Sequence, residues 1–188
     1  MKNRFLTTFV SGLLLSSLSL AAAPYSVDVS HSNVSFKVKH MMVSTVSGNF
    51  SGFSGTYDLE KGVLKSLNGT VKATTVNTGI VKRDDHLRSA DFFDVTAYPE
   101  ITFGLLSHKG KKVTGNLSLH GVTKKVTMDL EMGGEVIDPN GNKRSGFALS
   151  GKINRKDFGL NWSKALEAGG VVVGDEVKLT VEIEGIED

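Results

Sequence analysis

The segment Val34-Ser35-Phe36-Lys37-Val38-Lys39 alternates apolar and polar residues with a period of two. Successive side chains of an extended strand point to opposite faces, so Val34, Phe36 and Val38 share an apolar face and Ser35, Lys37 and Lys39 a wet one. The same alternation returns through most of the chain, with little helical periodicity between. It recurs in Ile101, Phe103 and Leu105, in Val113, Gly115, Leu117 and Leu119, and in Val126, Met128, Leu130 and Met132. Phe147, Leu149, Gly151 and Ile153 repeat it, and so do Val177, Leu179, Val181 and Ile183. Between the last set lie Lys178, Thr180, Glu182 and Glu184, all polar. Half-buried strands in such number must bury their apolar faces against one another. About eight or nine antiparallel strands joined by short turns do this most economically by closing into a barrel, whose interior holds either its own side chains or one small ligand. The expected fold is therefore all-β, an eight-stranded or slightly larger antiparallel barrel with one short connecting helix.

Local signals divide the chain further. Val46 to Leu59 reads as one long strand, with glycines at 48, 52 and 55 suggesting bulges and tight curvature. Leu64 to Val76 continues the pattern, with Leu67, Gly69, Val71 and Ala73 on one face. Thr78 is the expected N-cap of a helix over Ile80 to Ser89, in which Asp84 and Arg88 would pair at i, i+4. Asp91 to Pro99 reads as a connection, and Pro139-Asn140-Gly141-Asn142 as a turn. Leu160 to Gly170 reads as a short helix or a loop at the barrel rim.

Residues 1–22 read as a secretory signal peptide: Lys2 and Arg4, then an apolar stretch from Phe5 to Leu20, then small residues at Ala21, Ala22 and Ala23. The stretch is short and Ser-rich for a membrane span, which needs about 20 predominantly apolar residues, so the mature chain is expected to carry no integral membrane segment. Residues 23–188 then form one domain. Without Lys2 and Arg4 the basic residues equal the 20 acidic ones. A neutral chain with no basic stripe argues against nucleic acid as a partner. The absence of cysteine rules out disulfides and the lipid-anchored route that starts from a cysteine at the cleavage point. Together these features point to a soluble periplasmic protein.

The inward faces supply the candidate ligand-binding residues. These are Phe36, Val38, Phe50 and Val71 in the first half, and Phe103, Leu117, Leu119, Met128, Leu130, Phe147, Leu149, Leu179 and Val181 in the second. Small residues on the same faces, Gly69, Ala73, Gly115 and Gly151, leave room inside. Leu87, Phe92 and Phe93 are placed to cover an opening. Arg83-Asp84-Asp85-His86-Leu87-Arg88 supports three readings: a charged helix face with internal ion pairs, a general base or metal ligand at His86 with a neighbouring acid, or a rim at which Arg83, His86 and Arg88 meet a polar head group. His40 follows the inward set of its strand and is expected to be satisfied by a neighbour, with ligand contact as the alternative. Trp162 is either core or cavity wall. No histidine has metal-ligand spacing, and no nucleophile elbow, phosphate loop or serine-centred triad is present. The expectation is no catalytic residue, no metal and no required cofactor.

Several ordered stretches carry a further signal: Asp28-Val29-Ser30-His31-Ser32, Phe36-Lys37-Val38-Lys39-His40, Arg83-Asp84-Asp85-His86-Leu87 and Asp91-Phe92-Phe93-Asp94. Tyr98-Pro99-Glu100-Ile101-Thr102-Phe103, Gly115 to Thr123 and Asn154-Arg155-Lys156-Asp157-Phe158-Gly159 follow in order. In these the chain resembles the YceI family of exported bacterial proteins over nearly its whole mature length. The resemblance implies a lipocalin-like barrel whose elongated apolar cavity binds polyisoprenoids or similar long-chain amphiphiles, often in a homodimer. The expected function is a periplasmic carrier of such a lipid, with an isoprenoid, quinone or fatty-acid-derived molecule as ligand. Burying a 20-carbon tail is worth roughly 16 kcal/mol gross at about 0.8 kcal/mol per methylene, before ordering costs. The alternatives are an enzyme acting on a lipid or quinone through His86 and its acidic neighbours, and a ligand-free interaction module using Asp91 to Tyr98.

Overall fold

The computed structural model describes residues 24–166 and 169–188; the expected signal peptide lies outside them. Among these residues, eleven strands and one α-helix form in the order β1 Tyr25–Val27, β2 Asn33–His40, β3 Ser44–Phe50, β4 Phe53–Glu60, β5 Val63–Lys72, β6 Val76–Asn77, α1 Val81–Arg88, β7 Glu100–Lys109, β8 Lys112–Leu119, β9 Val122–Ile137, β10 Lys143–Asn154 and β11 Val173–Glu187. Every pairing is antiparallel. The sequence β1-β4-β5-β7-β8-β9-β10-β11 closes on itself through β1 and β11, giving an eight-stranded barrel.

The three remaining strands do not add positions around the ring. β1 pairs with the C-terminal end of β11 (Tyr25 opposite Glu187), and β2 continues along the same partner (Val34 opposite Val181, Val38 opposite Val177). In the same way β3 extends β4 beside β2, and β6 extends β5 beside β3. Three of the eight barrel strands are thus each broken in two. Asp28 makes the first break by accepting the backbone N–H of Ser30 at 3.0 Å, which caps a single 3-10 turn at Val29–His31. The second and third breaks lock each other: the Gly52 N–H donates to Thr75 Oγ1 at 3.0 Å, and the Lys72 N–H donates to the Gly52 carbonyl at 2.8 Å. The single strand expected over Val46–Leu59 is therefore two, and Leu64–Val76 is interrupted by a 3-10 turn at Ala73–Thr75.

The glycines of this region are not bulges. The β2–β3 register runs unbroken past Gly48 opposite Phe36, and the β4–β5 register past Gly55 opposite Gly69. At Gly48 the missing side chain makes space for a ring, since a Cβ there would lie 2.5 Å from Phe36 Cζ. The register shifts fall at Asp58/Leu59, Leu105/Ser107, Gly146/Phe147 and between Val173 and Val177. These are where the sheet bends to close.

α1 begins later than its sequence signal. Ile80, not Thr78, is the N-cap, and its side chain caps nothing. Thr78 instead donates its N–H (2.9 Å) and hydroxyl (2.5 Å) to Oδ1 of the buried Asp84. That engagement removes Asp84 from the expected i, i+4 pair, and Arg88 pairs with Asp85 at 2.7 Å.

One end of the barrel is filled. Tyr25 and Tyr57 stack at 5.1 Å, Phe147 packs edge-on to Tyr57 at 5.1 Å, and Leu59, Leu64, Val113 and Leu130 complete a buried cluster. The hydroxyl of Tyr25 donates to Glu135 at 2.6 Å, and that of Tyr57 donates to the Ser145 carbonyl at 3.1 Å. Each polar tip therefore keeps a partner while its ring plugs the interior. Burial pushes the Tyr57 hydroxyl pKa up to about 12.

Candidate functional site: an apolar chamber and its outer vestibule

Beyond that plug the barrel is hollow. Of the small residues expected to leave room inside, only Gly69 lines the space; the Phe103 ring occupies the room at Gly115, Met128 that at Gly151, and Ala73 lies away from it. Gly55, Gly69, Phe36, Phe53, Phe103 and Leu117 all reach the same chamber, whose volume is about 210 Å³. A single water needs roughly 10–15 Å³, so the space is roughly fifteen to twenty times larger than a solvent site. Aliphatic and aromatic side chains form nearly all of its surface.

Of the residues expected from the sequence, Phe36, Val38, Phe50, Val71, Phe103, Leu117, Leu119 and Met128 line this chamber, with Phe147, Leu149, Leu179 and Val181. Leu87, Phe92 and Phe93, on α1 and the connection after it, line it as well. Phe93 meets Phe50 edge-on at 5.8 Å, which ties that connection to the barrel wall. Leu130 is not brought to the chamber; it lies in the plug. Phe53, Ile101 and Ile153 join the wall although they were not singled out. The period-two pattern contained them, but the break at Ser51-Gly52 hid the phase of Phe53.

A second space of about 180 Å³ adjoins the first, and the two share Phe36, Val38, Leu87, Phe92 and Val173. His40, Arg83, His86 and Trp162 line this outer vestibule, with Lys39, Val46 and Val172. His86, Phe92 and Trp162 form a three-ring cluster, at 5.0 Å (His86–Phe92), 4.9 Å (His86–Trp162) and 5.1 Å (Phe92–Trp162). His86 Nε2 also lies 2.9 Å from Asp91. The imidazole of His40 has no protein hydrogen bond among the described residues, contrary to the expectation of a satisfied buried histidine. Its strand phase turns it toward the vestibule rather than toward a polar neighbour. Arg88 reaches neither space: it donates to the Val76 carbonyl at 3.2 Å and to Asp85.

Arg155 borders the chamber and, through the carbonyls of Trp162 and Val173, holds two residues of the vestibule wall; its role was not legible from spacing. The guanidinium is 3 % exposed and spends its donors on the carbonyls of Leu160, Trp162 (2.9 Å), Val173 (3.2 Å) and Gly174 (2.9 Å), and on Asp175 (3.2 Å). One side chain thereby stitches the irregular segment after β10 to the start of β11. Burial draws its pKa below the ordinary guanidinium value while Asp175 opposes the shift.

Among the described residues, one group of side chains has metal-ligand proximity: Asp28, His31 and Glu184, with ligand atoms within 4.8 Å of one another. It sits outside the barrel interior, and a cation already serves it. Arg144 Nη1 donates to Asp28 at 2.9 Å and to Glu184 at 2.6 Å. Hydrogen bonds from His31 and then Arg144 hold the Asp28 carboxyl at about 2.

Fold and site together define an up-and-down antiparallel barrel, plugged at one end, that encloses an apolar chamber under a partly polar vestibule. Residues 25–185 match the YceI-like domain, and the chain belongs to the YceI family. It is 36% identical to Protein YceI of Shigella flexneri over 195 residues, covering 100% of this chain and 99% of that one. Among solved structures it resembles the Campylobacter jejuni YceI protein, at 34% identity and a TM-score of 0.70 over 80% of this chain and 90% of the other. The fold is shared with Burkholderia cenocepacia BcnA (24% identity, TM-score 0.72, 84% and 98% covered). It is shared too with a domain of Saccharophagus degradans described as polyisoprenoid-binding and implicated in plant cell wall breakdown (18%, TM-score 0.66, 89% and 99%).

Proposed function

We propose that this protein binds one long-chain amphiphilic lipid, an isoprenoid, quinone or fatty-acid-derived molecule, and acts as an exported carrier rather than an enzyme. The observation that carries the reading is the apolar chamber. A closed barrel gains stability by filling its centre, and this one places Gly55 and Gly69 among the rings of Phe36, Phe53 and Phe103 instead. Such a surface recognises hydrocarbon, and burial of the tail supplies affinity without a reacting group. The polyisoprenoid-binding description of the Saccharophagus degradans domain agrees with a lipid of this class. The basic and apolar N-terminal stretch supports export to the periplasm.

The test is extraction of the purified protein with organic solvent, followed by mass spectrometry of the extract. One long-chain species in near-stoichiometric amount is expected. A protein that yields no lipid, and takes up none of added geranylgeraniol, a long-tailed quinone or oleate, would overturn the proposal. Turnover of a bound lipid that disappears in His86→Ala would replace the carrier with an enzyme.

A further inference from the structure

The open end of the barrel carries an apolar surface that neither the chamber nor the vestibule uses. The β2–β3 hairpin ends there in Met41, Met42 and Val43, the last two 61 % and 85 % exposed, and α1 begins there with Ile80 and Val81, the latter 76 % exposed. None of the five lines either space. Lys39, His40 and Val46 of the hairpin and Arg83 and Leu87 of α1 border the same vestibule, so the two apolar tips flank it. The hairpin tip strains its own backbone. The Val43 N–H donates to the His40 carbonyl at 3.2 Å, and the two residues inside that turn, Met41 and Met42, hold φ of 51° and 63°. Glycine and asparagine adopt this left-handed region most easily, so two large, adaptable apolar side chains project where the turn itself favours Asn-Gly. The surroundings are cationic. Lys82 follows Val81 and makes no ion pair among the described residues. Asp84 and Asp85, the acids of α1, are taken up by Thr78 and Arg88. Lys164 stands beside the hairpin tip: its carbonyl accepts the Val172 N–H at 2.9 Å, and the Val172 carbonyl accepts the Met41 N–H at 2.9 Å. The exposed apolar pair at the plugged end, Val136 and Ile137, is bracketed by Glu135 and Asp138 instead.

Resting on the lipid-binding reading above, we infer that the open end is a docking surface for an anionic phospholipid bilayer. Apolar tips set among lysines suit shallow insertion at a membrane interface, where hydrocarbon burial and attraction to anionic lipid add. A barrel docked this way turns its vestibule to the bilayer. The residues shared by the two spaces, Phe36, Val38, Leu87, Phe92 and Val173, continue that path into the chamber, so a long tail enters without crossing water. The surface is an entry and exit face for cargo, distinct from the walls that hold it.

Flotation of the protein with vesicles of phosphatidylethanolamine and phosphatidylglycerol, and with vesicles of phosphatidylcholine alone, tests this. Partitioning is expected to be at least tenfold stronger on the anionic vesicles at low salt and to fall as salt rises. Met41→Asn with Met42→Gly is expected to lower it at least tenfold while the melting temperature does not fall, because the turn loses its strain. Lys82→Gln with Lys164→Gln is expected to reduce the preference for anionic vesicles to within about threefold. Ile137→Ser, at the plugged end, is expected to change partitioning less than twofold. In the Met41→Asn, Met42→Gly protein, equilibrium binding of geranylgeraniol is expected to stay within about twofold of wild type, while its transfer from anionic donor vesicles slows at least tenfold. A wild-type protein that binds geranylgeraniol but stays off both kinds of vesicle overturns the inference and leaves the lipid-binding reading standing, and so does partitioning that the Met41 and Met42 changes leave intact. Vesicle binding without uptake of geranylgeraniol, a long-tailed quinone or oleate keeps the docking surface and overturns that reading. A dimer in sedimentation velocity that the same two changes dissociate assigns the tips to a second copy of the chain and overturns the inference.

Discussion

At the scale of single residues, a buried arginine holds together the irregular segment at the mouth of this barrel. Arg155 satisfies four carbonyls and a carboxylate at once: those of Leu160 and Trp162 lie outside any strand, and those of Val173 and Gly174 lie at the start of β11, where its register with β2 is interrupted. Arg155→Met fills similar volume but leaves several buried acceptors unmade, each costing roughly 1–3 kcal/mol if water does not reach it. The expected loss, allowing for partial hydration, is about 3–5 kcal/mol in urea unfolding. Trp162 is the only tryptophan, and its carbonyl is one of the acceptors, so fluorescence reports this segment alone. A red-shifted emission of the folded variant is expected together with the lower midpoint. A loss below about 1 kcal/mol with unchanged emission would mean that the segment holds its shape by other contacts. Nothing in residue spacing pointed to Arg155 as a support of the site. Its partners are carbonyls, which every residue carries, and only the fold brings Leu160, Val173 and Gly174 to one guanidinium.

At the scale of elements, the period-two pattern told which faces turn inward, and that reading holds along β2, β5, β8, β10 and β11. What it missed were the ends of elements. The breaks at Ser51-Gly52 and Ala73–Thr75 are created by one strand bonding the interruption in its neighbour, a contact between residues 23 apart in the chain. Thr78 carries a good N-cap side chain, but Asp84 captures its hydroxyl, and the helix starts after Ile80. Closure of the ring has a similar long-range origin. Arg144, on β10, donates to Asp28 just after β1, to Asp138 in the β9–β10 turn at 2.8 Å, and to Glu184 on β11. Hydrogen bonds from His31 and Arg144 hold Asp28 at about 2, and those from Arg144 and Asn142 hold Asp138 below the usual carboxylate range. A carboxylate whose folded pKa is depressed contributes stability above its ordinary value near 4, and loses it as pH falls through the folded value. The melting temperature is therefore expected to be flat from pH 7 to about 5 and to drop steeply between about pH 4 and pH 2. Arg144→Met should lower the melting temperature at pH 7 and flatten the acid limb. Parallel curves for the two proteins would show that this cluster does not couple the seam to pH.

At the scale of the whole molecule, the wall of the chamber was largely legible and its two ends were not. Inward phase follows from alternation within a strand, which is why Phe36, Leu117, Leu119 and Leu179 were found. Leu130 shares that phase, yet depth along the barrel places it in the plug, and depth depends on strand tilt and stagger rather than on phase. Arg88 was misplaced because the displaced helix start and the Asp85 pair turn it away from the vestibule. Phase can be tested directly with two substitutions of the same chemistry. Leu119 is 6 % exposed on the chamber wall, and Leu119→Asp sets a carboxyl against hydrocarbon, which costs several kcal/mol or forces it neutral. Lys178 is on the outer face of β11, opposite Lys152 on one side and Lys37 on the other. Lys178→Asp therefore relieves a row of like charges and leaves the fold at least as stable. With geranylgeraniol as the probe, Leu119→Asp is expected to weaken binding at least a hundredfold in protein whose circular dichroism is unchanged, and Lys178→Asp less than twofold. Equal losses in both folded variants would mean that the lipid sits on the outside of the sheet, where the apolar chamber has no part in holding it.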